Sequence, residues 1–505
     1  SDEATRIVAA AGLAVARRCA VHELAARRLE QTDAPSPAVV ADHWYSAGDD
    51  AGTLRWAQLA GDLAIGAGAS AEASRQFERA LLAAKRLQRP DAEIVDVAER
   101  LAAIAHAARL ADLEAWALKL AVVAAASPGA AARLMVRQAT CARTSGRLRA
   151  ASTHLGRARR AAPPDHLIVQ CELLIEQAWI AIWSDRWDRA LALATIASRV
   201  ATAAEEPALQ FHAWSLIQQS RGAKGLPDAD TAGQEALRAA HASGDERLVG
   251  LAEGQLALIA DNRGRWKQAV SGYARSGRAF SRCGDVVNVA TSQLNQATIL
   301  VELGDVETAY ALAVDAARVL AAAGDAAGAA LATGLSLRAV VRAGLGDGTQ
   351  VSRIETCVAL LAAEGNEEET AFHDVGLIES LLLTGNIAAA TQRALGLIDV
   401  VDGFDDDHLL PTTVRRLLAI GAEAAGDRSA HERWLNDARA RADLHRILPE
   451  QAAIAAMDAR RAADNRAPDR QRRADASARL DELLGVLSRP WVQYGRDKVE
   501  PRSAK

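Results

Sequence analysis

One short phrase returns along most of this 505-residue chain at a nearly constant interval: Gly or Asp, any residue, an apolar residue, two residues, then Ala. It reads GRLRAA at Gly146, DRWDRA at Asp185, GRWKQA at Gly264, GDVETA at Gly304 and GNIAAA at Gly385, with weaker copies at Gly68, Gly225, Gly346 and Gly426. From Gly146 onward the spacings are 39, 40, 39, 40, 42, 39 and 41, and the 78 residues from Gly68 to Gly146 leave room for a degenerate copy near Ala107. A period of this size held over most of a chain marks a stacked-repeat architecture and outranks a domain count taken from length.

Each copy predicts a helical hairpin. The Gly or Asp ends one helix in a left-handed or capping conformation, and the following Ala opens the next. Small or apolar residues then recur four and seven positions on, as in Ala73-x3-Phe77-x2-Ala80 and Ala151-x3-Leu155-x2-Ala158, which places them on one helical stripe. Composition agrees. Half the residues are hydrophobic, but only 10 Trp, 4 Tyr and 5 Phe are aromatic. Roughly one residue in four or five is Ala, the best helix former and small enough for close helix approach. No alternating run of β-branched residues suggests a sheet. The expected fold is all-α: a right-handed superhelical solenoid of about ten tetratricopeptide-like hairpins with a period near 40, longer than the usual ~34 through longer helices.

The first 90 residues contain VHELAARRLEQ, then PAVVADHWYSAGDD, then LRWAQLAGDLAIGAGASAEASRQFERALLAA. With its His43-Trp44 pair and Ala47-Gly48-Asp49 turn, this segment resembles the junction that follows the ATPase and winged-helix portions of large bacterial signal-transduction (STAND-type) NTPases. The chain from about residue 20 to 450 resembles the superhelical sensor arm of the MalT-like transcriptional regulators of that class. The resemblance implies a helical linker over residues 1–50, a sensor domain over 51–450, and capping helices with a tail over 451–505. It also implies a regulatory role, in which a small-molecule inducer such as a sugar binds the concave groove and its occupancy is passed to an NTPase module of the same parent protein. There is no G-x-x-x-x-G-K-[ST] loop and no helix-turn-helix segment, so the chain reads as a fragment without the motor. It begins with Ser rather than Met, which fits a piece of a longer protein. The alternative is a protein-interaction scaffold whose groove accepts a partner peptide or helix.

Charge and cysteines exclude other classes. With 59 basic and 64 acidic residues the net charge is −5, which argues against a nucleic-acid surface over the whole chain. Cys19, Cys141, Cys171, Cys283 and Cys357 are dispersed and form no C-x-x-C pair, as expected for reduced thiols in the cytoplasm. No apolar run reaches the ~18–20 residues of a membrane span, and Val8–Val15 lacks the flanks of a signal peptide. No catalytic motif is present, and Gly344-x-Gly346-x-Gly348 fails the dinucleotide spacing, so neither an enzyme nor a cofactor is expected. The acidic run Asp402–His408 lacks the calcium-loop pattern and reads as a solvated loop with a helix cap. The Arg-rich stretch Arg460–Arg473 reads as a linker before a capping helix over Asp475–Leu487 rather than as a nucleic-acid contact, and Pro490–Lys505 as a tail.

The candidate ligand site rests on Trp179 and Trp183, four residues apart on the first helix of the Asp185 hairpin. Polar residues in equivalent first helices are Glu176, Gln218, Gln219, Asp261, Asn262, Asn295 and Glu302. An indole face matches the C–H face of a sugar, and amides and carboxylates satisfy its hydroxyls. Packing between repeats competes with this reading equally for both tryptophans, and is favoured for Trp187 and Trp266, which follow the turn where a bulky apolar residue is wanted.

Overall fold

A computed structural model describes residues 15–67, 69–226, 228–404 and 408–464. The start of the apolar stretch (8–14), the end of the Arg-rich stretch (465–473), the predicted capping helix (475–487) and the tail (490–505) lie outside the described residues, as do Gly68 and positions 405–407 of the acidic run. Twenty-three helices and no strand make up the regular structure of the described residues. Two of them, α1 (Val15–Glu30) and α2 (Pro37–Ala47), precede ten hairpins. The hairpins are α3–α4 (Asp50–Gly66, Ser70–Arg86), α5–α6 (Asp91–Ala107, Ala111–Val123), α7–α8 (Pro128–Thr144, Leu148–Ala161), α9–α10 (Leu167–Ile182, Trp187–Ala203) and α11–α12 (Pro207–Ala223, Ala229–Ser243). There follow α13–α14 (Glu246–Asn262, Trp266–Arg282), α15–α16 (Val286–Leu303, Val306–Ala322), α17–α18 (Ala326–Arg342, Gly348–Ala363), α19–α20 (Glu367–Leu383, Ile387–Val401) and α21–α22 (Leu409–Ala424, Arg428–Leu444). A last helix, α23 (Leu448–Asp464), comes after them.

The period of 40 has a local cause. A 17-residue helix such as α16 and a three-residue turn make 20 residues, and two such steps make a hairpin. The turn chemistry is written in a Gly-Asp dipeptide that recurs at Gly244, Gly284, Gly304, Gly324 and Gly426. At Gly304 the backbone is left-handed (φ 82°), and the amides of Gly304 and Asp305 close back on the carbonyls of Val301 and Leu300. The Asp305 carboxylate then accepts the amide of Thr308 and caps α16. The degenerate copy near Ala107 is a true turn, but Arg109 occupies the left-handed position (φ 57°). An L-residue with a bulky side chain pays there for what glycine adopts freely. Arg109→Gly is therefore expected to raise stability by about 0.5–1 kcal/mol, read as a later denaturant midpoint with an unchanged slope.

Contacts divide the chain into two compact units, Ser1–Ser243 and Gly244–Lys505, so the stretch 51–450 is shared between them. Within each unit, first helices of successive hairpins also pack on one another, as α7 on α9 or α17 on α19, and thereby form the inner face. The core is built of small residues: Ala73, Ala80, Ala84, Ala98 and Ala102 are fully buried around Phe77 and Leu101 in unit 1. At Gly334 in α17 an added Cβ would lie 2.0 Å from the buried His373 ring of α19, which shows how closely the inner helices approach. Ahead of the second hairpin, Trp44 of α2 and Trp56 of α3 both donate their indole N–H to Glu30 of α1.

Unit 2 has one further feature. Helix α23 is buried on several faces: Glu450, Ala452, Ala453, Ile454 and Ala455 are all at most 5% exposed. Ile454 packs against Leu435, Ala438 and Ala442 of α22, while Ala452 and Ala455 join Ala257, Tyr273, Ile299 and Leu303 of α13–α15. Gln451, Ala456, Met457 and Asp458 are half-buried, so the helix keeps a partly accessible side.

Candidate functional site

Over α5–α9 in unit 1, and again from α15 to α23 in unit 2, the inner face carries paired charges that alternate in sign from one helix to the next. In unit 1, Glu99 of α5 accepts from Arg137 of α7 at 2.6 Å, while Arg133 and Arg143 of α7 donate to Glu172 and Glu176 of α9 at 3.0 and 2.7 Å. Thr140 donates to the second Glu176 oxygen at 3.0 Å. These residues line a cavity of ≈ 450 Å³ that spans α5, α7, α9 and α11, with Leu134, Ile175 and Leu209 as its apolar wall. Arg143 and Glu176 are buried, whereas the side chains of Arg133 and Arg137 stay 57% and 38% exposed. The cavity thus has a fixed ion pair beneath and two accessible guanidiniums at its surface.

The tryptophans hold Arg143 rather than an empty face. Its guanidinium carbon lies 5.2 Å from the Trp179 ring centre and 5.7 Å from that of Trp183, a cation–π arrangement. Trp179 lines the cavity and packs against Ala178, Ala194, Leu216 and Ile217. Trp183, at the end of α9, is 48% exposed and is not among the residues lining the cavity. Gln218 is buried, its Oε1 without a hydrogen-bond partner among the described residues, and Gln219 is half-buried. Neither lines the cavity.

The other four candidates belong to unit 2. Glu302 of α15 is engaged by Arg338 and Arg342 of α17, whose other partner is Glu379 of α19, all at 2.8–2.9 Å. The Arg338 Nη1 approach to Glu302 is off-axis, an ion pair without a hydrogen bond. Burial alone would raise the Glu379 carboxyl, but the two guanidiniums hold it well below the usual carboxylate range. The alternation continues through Arg416 of α21, which donates to Glu450 of α23 at 2.6 Å. Asn262 is exposed and Asn295 half-buried.

Asp261, near the end of α13, is raised to about 6 by burial. A carboxyl raised above its unfolded value near 3.9 prefers the protonated form when folded, so it lowers stability above pH 6 and this cost fades as pH falls towards 4. Asp261→Asn is expected to gain about 2–3 kcal/mol at pH 8 and almost nothing at pH 4. Paired denaturation curves at the two pH values check this.

Sequence reasoning missed Arg133, Arg137 and Arg143. Their signal was present: Arg133 and Glu172 are 39 residues apart and Glu99 and Arg137 are 38 apart, one repeat in each case. In the acidic run, Asp402 pairs with Arg415, and the next helix is capped by His408. Trp266 packs in the core of unit 2, and the Trp187 indole donates to Asp185. Among the described residues no group of three or more His, Cys, Asp or Glu could hold a metal, and no helix is long and apolar enough to cross a membrane.

No family model matches the chain, and no curated protein matches it. Among solved structures it is similar to a Signal Transduction ATPase with Numerous Domains (STAND) protein with a tetratricopeptide repeat sensor from Pyrococcus horikoshii, at 12% identity and a TM-score of 0.39. That match covers 84% of this chain but only 52% of the other, so the chain spans about half its length. A Rap protein complexed with Competence and Sporulation Factor matches at 12% identity and a TM-score of 0.43, over 74% of this chain and 99% of that one. The apo form of the quorum sensor NprR from B. thuringiensis matches at 11% and 0.46, over 73% and 97%. At these scores the likenesses assign no function, and the fold stands on its own hairpin geometry: the class is a tetratricopeptide-like helical-repeat protein.

Proposed function

We propose that this chain is a non-enzymatic, cytoplasmic partner-binding module, and that the inner face of unit 1 accepts a peptide or helix carrying a carboxylate. The observation that carries this reading is the row of Arg133 and Arg137 at the mouth of an elongated cavity with an apolar wall. Their present partners, Glu172 and Glu99, are exchangeable: a partly exposed ion pair contributes little, so an incoming carboxylate can replace one end of it. The apolar wall would take a side chain from the same segment. In a parent protein of the STAND type, occupancy of this face would bias the coupled module only through a difference in affinity between its states.

The sugar reading finds less support. Arg143 packs near both tryptophan rings, and Glu176 is committed to Arg143 and Thr140. Selection of displayed random peptides on the whole chain tests the two readings together. Partner binding predicts a consensus with an acidic residue beside an apolar one, and its loss with Arg133→Glu/Arg137→Glu. Maltose serves as the sugar probe. Saturable quenching of tryptophan fluorescence by maltose, abolished by Trp183→Ala, with no peptide consensus, would return the site to a sugar-like inducer.

A further inference from the structure

Also in unit 1, α8, the end of α9 and the start of α10 enclose a cleft of ≈ 460 Å³, floored by Leu155 of α8 and Ile180 of α9. Its walls carry Arg149 and Arg159 from α8, Arg186 from the turn before α10, and Arg189 from α10. No Asp or Glu lines it. None of the four guanidiniums forms an ion pair among the described residues, although exposed arginines elsewhere do, such as Arg27 with Glu23 and Arg282 with Glu246. The nearest acids in sequence are occupied: Asp185 accepts the Trp187 indole N–H and Asp188 pairs with Lys224. From Arg143 to Pro164 there are six arginines and not one carboxylate, in a chain whose net charge is −5.

Four like charges converging on one cleft repel each other unless an anion is present, and guanidinium forks match phosphate oxygens two at a time. We propose that this cleft is a binding site for a small anion with adjacent phosphate groups. The lining contains no aromatic ring on which a base could stack, so recognition falls on the phosphate chain. Ser152 and Gln177 on the walls supply neutral hydrogen bonds to it. The site shares α9 with the partner surface proposed for the inner face but none of its lining residues.

Calorimetric titration of the whole chain with inorganic tripolyphosphate, at low ionic strength, tests the proposal. We expect one-to-one binding that weakens as salt rises. Each guanidinium removed should cost about tenfold in affinity, so Arg149→Ala/Arg189→Ala should lose about a hundredfold. Arg75→Ala/Arg27→Ala, which removes the same charge from unit 1 away from the cleft, should bind as the parent does. ATP should bind no more tightly than tripolyphosphate. Absence of saturable binding, equal losses in the two double variants, or binding of many anions per chain would overturn the site. A large preference for ATP would overturn recognition through phosphates alone.

Discussion

Glu379→Ala is expected to destabilise unit 2 by about 3–5 kcal/mol, the effect of leaving buried charge without its partner. Glu302, Arg338, Arg342 and Glu379 form a charge-neutral set on α15, α17 and α19, and Arg338 is 1% exposed with its guanidinium over the Phe372 ring. Removing Glu379 leaves two guanidiniums sharing one carboxylate in a place water does not reach. Arg342 keeps only Glu302 and the Val301 carbonyl, at 2.9 and 2.8 Å. Nothing nearby can move aside, because these helices are interior to the stack. The carboxyl is depressed when folded, so its contribution is present above the ordinary carboxylate pKa and is lost only as pH falls well below it. Chemical denaturation at neutral pH should show a lower midpoint, and the difference from the parent should shrink under strong acid.

Glu450→Ala, the same change at the next rung, should behave differently. Glu450 is 2% exposed, accepts from Arg416 at 2.6 Å and 3.0 Å and from Thr413 at 2.9 Å, and belongs to the last described helix. The penalty for an unpaired Arg416 again approaches ~3–5 kcal/mol while α23 stays in place. Here an escape exists: α23 can lift away and let water reach the guanidinium. The observed loss is then capped at whatever docking of α23 contributes. The expected signature is fast hydrogen exchange confined to α23 and its contacts on α13–α15 and α22, while α17–α20 stay protected. Uniform loss of protection across unit 2 would refute the escape.

The hairpins were legible because turn chemistry is local. Gly304-Asp305 ends one helix and caps the next whatever surrounds it. The turn at Arg109 was placed only by counting, since arginine advertises no left-handed backbone. The charge ladder was not legible as structure. Glu176 and Glu302 look like polar rims of a groove when read singly, and their burial depends on Arg143 one hairpin earlier and on Arg338 one hairpin later. The two tryptophans posed the same difficulty. What surrounds an indole depends on what the adjacent hairpin brings, and here that includes Arg143.

The pairing distances along the inner face also bear on how such a chain can grow. Arg338 and Glu379 are 41 residues apart, Arg342 and Glu302 are 40, and Arg133 and Glu172 are 39. Each rung is met only by a residue one whole hairpin away. Duplication of about forty residues inserts a new hairpin and returns every later first helix to the inside. Duplication of about twenty, a single helix with its turn, would transpose inside and outside for everything downstream and carry each buried carboxylate to the face its arginine does not occupy. A chain built this way is therefore expected to tolerate changes in length of whole helix pairs and not of single helices.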